Sequence, residues 1–226
     1  NFIDPYPKDG GCDEGPGYWG RAGASMFECL ESYYDATNGK VDVYGEPLIR
    51  DIGKFITRVQ IHENWFVNFA DASALVTPSP FLVYKYGRRI GDADMMGMGA
   101  YFAAQRTRRE RGSDIARTLP ALFEGSDMGD VEPYQPLPAY SWLSEIQVMT
   151  ARDKAGSPEG LYVAMKGGHN SESHNHNDVG HYVIYVDGEP VIVDAGVEAY
   201  TGKTFSSERY DIWTMQSAYH SLPTID

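Results

Sequence analysis

The chain changes character at a proline-rich stretch near its middle, and this change constrains the fold more than any other feature. The stretch GSDMGDVEPYQPLPAY holds Pro133, Pro136 and Pro138 among acids and glycines, a composition typical of a domain boundary. Helices before it and antiparallel strands after it predict two segregated layers, not a parallel doubly wound sheet. We therefore expect one domain over residues 1–135 and another over residues 136–226.

Helical patterns dominate the first part. Apolar residues at i, i+4, i+7, i+8 and i+11 predict one helix face, formed by Ala22, Met26, Cys29, Leu30 and Tyr33. The pair Asn38–Gly39 ends that helix. Further helices are expected over Leu48–Val59, 92–112 and Ser113–Leu119. The stretch 65–87 mixes aromatic residues with Pro and Gly, and we interpret it as a long connection.

The second part predicts short antiparallel strands. Its segments SWLSEIQVMTAR, GLYVAMKGG, GHYVIYVDG and EPVIVDAG are rich in β-branched and aromatic residues and are punctuated by Gly and Pro. Asp187–Gly188 suits a type I′ turn, so Val186–Glu189 is expected to close a hairpin.

The charge balance excludes some classes of partner. With 19 Lys and Arg against 32 Asp and Glu, the formal net charge is -13, which argues against nonspecific binding to nucleic acid or anionic membranes. The sequence contains no apolar run of about 18 residues, so it predicts no membrane-spanning helix. Cys12 and Cys29 match neither a disulfide framework nor a zinc motif. The oligomeric state stays open.

A cluster of histidines opens the segment SESHNHNDVGHYVIYVDGEPVIVDAG. His174 and His176 are two residues apart, so an extended backbone points both side chains to one face. Asp194 ends the following hairpin, and His220 is a further candidate. Two imidazoles and one carboxylate form a zinc-binding set. The alternative is turn chemistry from Asn and Asp, with both histidines at the surface.

A second cluster, DGGCDEGPGYWGRAG, predicts a tight loop before a helix. This loop presents Tyr18, Trp19 and Arg21 at the helix entrance. A tyrosine there can transfer protons if Arg21 and a nearby imidazole lower its pKa. The alternative is a tyrosine that only covers the helix end.

These two motifs together resemble a known family. The stretch HNHNDVGHYVIYVDGEPVIVDAG, followed by YHSLPTI, resembles the signature of the heparinase II/III-like polysaccharide lyases, and DGGCDEGPGYWGRAG resembles their catalytic tyrosine segment. The similarity is strongest to alginate lyase-like and heparinase III-like members. It spans nearly the whole chain.

The resemblance implies a fold and a set of roles. The fold would be the end of an incomplete α/α toroid followed by the start of an antiparallel β-sandwich. Tyr18 would donate a proton to the leaving oxygen and act as the base, while His174 would support catalysis. His176, Asp194 and His220 would bind Zn²⁺.

The family's enzymes are longer than this chain. We therefore expect a piece that is inactive alone and lacks most of the toroid. The Asn or His that neutralises the substrate carboxylate would lie outside it.

The working hypothesis is a lyase that cleaves an acidic, uronate-containing polysaccharide, such as alginate or a glycosaminoglycan, by β-elimination. Arg21 and His174 would hold charge near the cleft. Such a substrate implies a periplasmic or secreted bacterial enzyme. Two alternatives are a zinc hydrolase that uses metal-bound hydroxide and a noncatalytic carbohydrate-binding module.

Overall fold

The computed structural model describes residues 2–105 and 115–223. The helices in these ranges are α1 (Pro16–Trp19), α2 (Gly23–Ala36), α3 (Pro47–Arg58), α4 (Pro80–Ile90), α5 (Ala93–Gln105) and α6 (Ile115–Glu124). The strands are β1 (Gln60–His62), β2 (Trp65–Phe66), β3 (Tyr140–Leu143), β4 (Val148–Arg152), β5 (Leu161–Lys166), β6 (Tyr182–Val186) and β7 (Glu189–Ile192). The predicted order of helices followed by antiparallel strands is confirmed.

Helices α2 and α3 confirm two predicted helices, but the predicted face of α2 is partly wrong. Cys29 is exposed, and Tyr33 is 62% exposed. The buried face instead includes Phe27 and Glu31. Glu31 is buried because Lys85 and Arg89 from α4 neutralise its carboxylate.

The predicted long connection over 65–87 is wrong in its second half, where α4 forms. Pro80 occupies the first turn of α4, where a missing backbone N–H costs nothing. Gly91 ends the helix in the left-handed conformation at φ 67°. Helix α5 then packs tightly against α4. The predicted helix over 92–112 has its end outside the described residues, and α6 continues past the predicted end at Leu119 to Glu124.

The five strands β3 to β7 form one antiparallel meander in sequence order. The predicted hairpin is confirmed, because Asp187 and Gly188 have φ values of 52° and 82°, as a type I′ turn needs. One face of β4 and β5 is buried and the other is partly exposed.

The buried face of the sheet shares one core with the helices. Leu143, Ala164 and Val183 lie in the same hydrophobic cluster as Ile52 and Phe66. The guanidinium of Arg152 in β4 donates to the carbonyl oxygens of Gln60 and Ile61, which fixes the sheet against the first part. The division at residue 135 and the toroid remain predictions.

Among the described residues, every helix is too short or too polar to cross a bilayer.

Candidate active site and metal centre

The loop before α1 places Tyr18 at the junction of the helices and the sheet. Gly15 has a φ of 90°, and a Cβ atom there would lie 2.4 Å from the Cβ of Ala72, so only glycine suits this turn. Trp19 is buried, and its indole N–H donates to the carbonyl oxygen of Ile52 at 2.7 Å. Because Trp19 is anchored, its half-buried neighbour Tyr18 faces the sheet side.

The hydroxyl of Tyr18 lies 2.5 Å from the hydroxyl of Tyr200, in the loop after β7. Tyr200 in turn donates to Oδ2 of Asp71 at 2.9 Å. Since the Tyr200 proton is committed to Asp71, the proton between the two phenols belongs to Tyr18. Burial and the hydrogen bonds with Tyr18 and Asp71 raise the pKa of Tyr200, which keeps that proton in place.

Asp71, in the turn between β2 and α4, is the centre of this network. Its side chain is 0% exposed. Oδ1 accepts from Nε2 of His176 and Nη2 of Arg209, each at 2.9 Å. Oδ2 accepts from Nδ1 of His174 at 2.7 Å as well as from Tyr200. Burial alone would raise the pKa of Asp71, but these four donors hold it well below its ordinary value.

His174 lies close to Tyr18 and has an unusual backbone. Its φ of 52° is in the left-handed region that non-glycine residues rarely adopt. Its ring centroid is 6.1 Å from that of Tyr18 and 5.7 Å from that of Phe205. Such outliers often occur at functional sites. A cavity of about 400 Å³ borders His174, Phe205 and Arg209.

Three buried side chains beside this network form a candidate metal centre. One ligand atom from each of His181, Asp194 and His220 lies within 4.8 Å of the others. Oδ2 of Asp194 lies 2.9 Å from Nε2 of His181 and 3.3 Å from Nδ1 of His220. Burial would raise the pKa of Asp194, but these imidazoles and the backbone N–H of Gly196 lower it.

The structure thus brings two of the three predicted ligands together and adds His181, while His176 lies beside the group. The ring centroids of His176 and His220 are 5.6 Å apart. Nδ1 of His176 is buried and has no hydrogen-bond partner among the described residues, and the same holds for Nε2 of His181, Oδ2 of Asp194 and both nitrogens of His220. Buried polar atoms without partners are rare in proteins, and a metal ion would satisfy these.

The protons on the rings distinguish His176 from His181. Nδ1 of His181 accepts the backbone N–H of Ser221 at 2.8 Å, so the neutral ring carries its proton on Nε2, facing Asp194. His176 carries its proton on Nε2, facing Asp71, and this leaves the Nδ1 lone pair free. On these proton positions His176 offers a lone pair to a metal ion at Nδ1, whereas the lone pair of neutral His181 faces Ser221, so His181 fits a residue beside Asp194 better than it fits a ligand.

Arg21 lies apart from this network. Its exposed side chain lines a cavity of about 470 Å³ together with Glu28 and Arg117. Its contact to Tyr18 in the described structure is through the backbone, where the Arg21 N–H donates to the Tyr18 carbonyl oxygen at 2.8 Å. The catalytic role of Arg21 remains a prediction.

Comparison with known proteins confirms the resemblance to heparinase II/III-like proteins over the second part of the chain. Residues 144–226 match the model of the family described as heparinase II/III-like, C-terminal. No curated protein matched the chain.

Two solved structures share the fold. One is the heparan sulfate lyase HepC from Pedobacter heparinus, with 19% identity and a TM-score of 0.61. The other is a heparinase III with methylated lysines, with 16% identity and a TM-score of 0.61. Each comparison covers 94% of this chain and 29% of the matched chain. The chain thus spans less than a third of the proteins that it matches.

Proposed function

We propose that this chain is the part of a polysaccharide lyase that carries its catalytic tyrosine and a zinc centre. The observation that carries the proposal is the position of Tyr18, hydrogen-bonded at 2.5 Å to Tyr200 and beside His174, where the helices meet the sheet. The family match of residues 144–226 supports it. By analogy with toroid lyases, residues 1–135 would be the end of an α/α toroid and residues 136–226 the start of a β-sandwich.

The reaction is β-elimination at a uronate residue. A base removes the C5 proton, the electron pair forms the C4–C5 double bond, and the C4–O bond breaks. Tyr18 protonates the leaving oxygen, which agrees with the proton that it holds toward Tyr200. Nε2 of His174, whose other nitrogen donates to Asp71, fits the base while Tyr18 holds its proton. If Tyr18 first loses that proton, its phenolate is the second group that fits the base, and it then returns the C5 proton to the leaving oxygen.

Zinc would be held by His176, Asp194 and His220, with His181 orienting Asp194. The side chains of these four residues are 0% exposed. Three protein ligands leave a fourth position for another group, but here the ligand side chains are shielded from solvent, so a bound ion would chiefly fix the loops that carry His174 and Tyr200. This burial favours the lyase over the zinc hydrolase, which needs a ligand position open to water and substrate.

The substrate would be an acidic polysaccharide, because the matched Pedobacter heparinus structure is named for heparan sulfate. Phe205 is 67% exposed beside His174 and offers a face for a sugar ring. We place the enzyme in the periplasm or outside the cell, where such polymers occur.

The experiment is to incubate the complete protein with heparan sulfate or alginate and to record two signals in parallel. Elimination produces ultraviolet absorbance from the new double bond together with each new reducing end. Hydrolysis produces reducing ends without that absorbance and would contradict the proposal. Binding without either signal would favour the noncatalytic module.

A further inference from the structure

We propose that Asp71 is a positioning residue that couples the zinc centre to the catalytic tyrosine through its two carboxylate oxygens. The effect of Asp71 on Tyr18 rests on the proposed function. The effect of Asp71 on zinc binding rests on the geometry of His176 and on the proposed zinc centre.

The acceptor positions of the Asp71 carboxylate are all occupied by donors from the described residues. An ionised carboxylate has about four acceptor positions, and four donors occupy them, from His174, His176, Tyr200 and Arg209. Each donor must turn a hydrogen toward Asp71. The arrangement therefore fixes which nitrogen of each imidazole carries the proton.

The oxygen Oδ1 faces His176, a proposed zinc ligand. It accepts from Nε2 of His176 at 2.9 Å, so the lone pair of that ring is on Nδ1. That nitrogen is buried and unpartnered within the described chain. Without Asp71 the proton is free to move to Nδ1, and His176 then offers no lone pair there.

The oxygen Oδ2 faces His174 and Tyr200, beside the proposed catalytic residue Tyr18. It accepts from Nδ1 of His174 and from the Tyr200 hydroxyl. Through Tyr200 it orients the Tyr18 proton, and through His174 it sets which imidazole nitrogen is a base. The Asp71 carboxylate thus controls the proton positions both at the proposed zinc ligand His176 and at the proposed catalytic residues Tyr18 and His174.

Arg209 strengthens the link. Besides Asp71, its guanidinium binds the backbone carbonyl oxygens of His174 and Asn175 at 2.8 and 2.9 Å. The turn that carries both histidines is therefore clamped between Arg209 and Asp71. Asp71 itself comes from the helical part of the chain, more than 100 residues before either histidine.

The test is Asp71→Asn in the complete protein. The asparagine amide has the same shape as the carboxylate but only one acceptor atom. Its NH₂ group is a donor and would face donors that it cannot bind. We expect the affinity for Zn²⁺, measured by competition with a chelator, to fall ~10–100-fold. We expect kcat to fall by about the same factor with KM changed by less than about threefold, because positioning of a proton acts in the transition state.

The matched control is Glu31→Gln. Glu31 is also a buried carboxylate that binds a tyrosine hydroxyl and an arginine, but it lies in the helical part between Tyr44 and Arg89. It should lower the melting temperature without changing zinc affinity or kcat. If a general loss of stability were the cause, zinc affinity and kcat would fall in Glu31→Gln as well as in Asp71→Asn.

Zinc affinity and kcat that both fall in Asp71→Asn support the coupling. A wild-type value for either readout overturns it. If Asp71→Asn does not fold, Tyr200→Phe decides. Tyr200 is 42% exposed, and its variant should lose at least ~10-fold in kcat at unchanged zinc affinity, whereas a wild-type kcat overturns the coupling. A wild-type protein that yields no unsaturated product contradicts the proposed function, while the zinc measurement on Asp71→Asn still decides the metal side.

Discussion

The candidate metal centre makes a prediction about individual histidines. We expect His176→Ala to lose its zinc, because the variant lacks the free Nδ1 lone pair. His181→Ala should keep zinc with affinity lowered ~10–100-fold, as expected for a residue that orients a ligand. Elemental analysis of purified protein and chelator competition measure the two effects.

The control for this pair is His169→Ala, since His169 is exposed and lies outside the group. It should bind one zinc per chain like the wild type. Full zinc in His176→Ala, with none in His181→Ala, would make His181, Asp194 and His220 the ligand set instead.

The sequence allowed part of this site to be predicted at the residue scale. The spacing of His174 and His176, and Asp194 at the end of a hairpin, are local signals. His181 also had one, because it directly precedes the strand β6 in the same segment. Asp71 and Arg209 had none, since the contact between them spans 138 residues and no motif surrounds either residue.

The packing of α4 against α5 gives a prediction at the scale of elements. A Cβ on Gly99 would lie 2.7 Å from the carbonyl oxygen of Pro80 and 2.7 Å from the backbone nitrogen of Tyr84. Backbone atoms cannot turn aside, so Gly99→Ala should push the helices apart and destabilise the fold by about 2 kcal/mol or more. Urea unfolding measures the change.

Gly45→Ala is the control for that substitution, because nothing lies within 4 Å of its Cβ position. Its free energy of unfolding should stay within about 0.5 kcal/mol of the wild type. Equal stability of Gly99→Ala and Gly45→Ala would contradict the close packing.

Periodicity predicted the elements better than it predicted their faces. The strands and the Asp187–Gly188 hairpin followed from alternation and turn chemistry. Helix α4 was missed because aromatic and proline residues around Pro80 resemble a loop. The face of α2 was misjudged because Glu31 is buried by paired charges on another helix, which spacing of apolar residues does not reveal.

At the scale of the whole molecule, buried charge predicts how stability depends on pH. Burial would raise the pKa of Glu31, but Arg89, Tyr44 and Lys85 lower it below its ordinary value. A lowered folded-state pKa contributes stability above the unfolded pKa, and this contribution is lost as the pH falls through the folded-state value.

We therefore expect Glu31→Gln to be less stable than the wild type by about 2–4 kcal/mol near pH 7. The difference should shrink as the pH falls below about 4, where the Glu31 carboxylate of the unfolded chain becomes protonated first and that of the folded protein follows at lower pH. Chemical unfolding across this range measures it. A difference that does not change with pH would contradict the role of the Glu31 charge.

The candidate site exists only where the two parts of the chain meet. Tyr18 and Asp71 come from the helical part, and His174, His176 and Tyr200 come from the sheet part. Composition predicted two parts, but which residues meet across the junction depends on the shared core.

The most direct measurement is the rate of unsaturated-product formation by Tyr18→Phe in the complete protein, with Tyr33→Phe as the control. Tyr33 is 62% exposed on α2 and should be replaceable without loss. The account predicts that Tyr18→Phe, which lacks the hydroxyl that protonates the leaving oxygen, loses activity at least ~100-fold. Retention of most of the activity in Tyr18→Phe would contradict it.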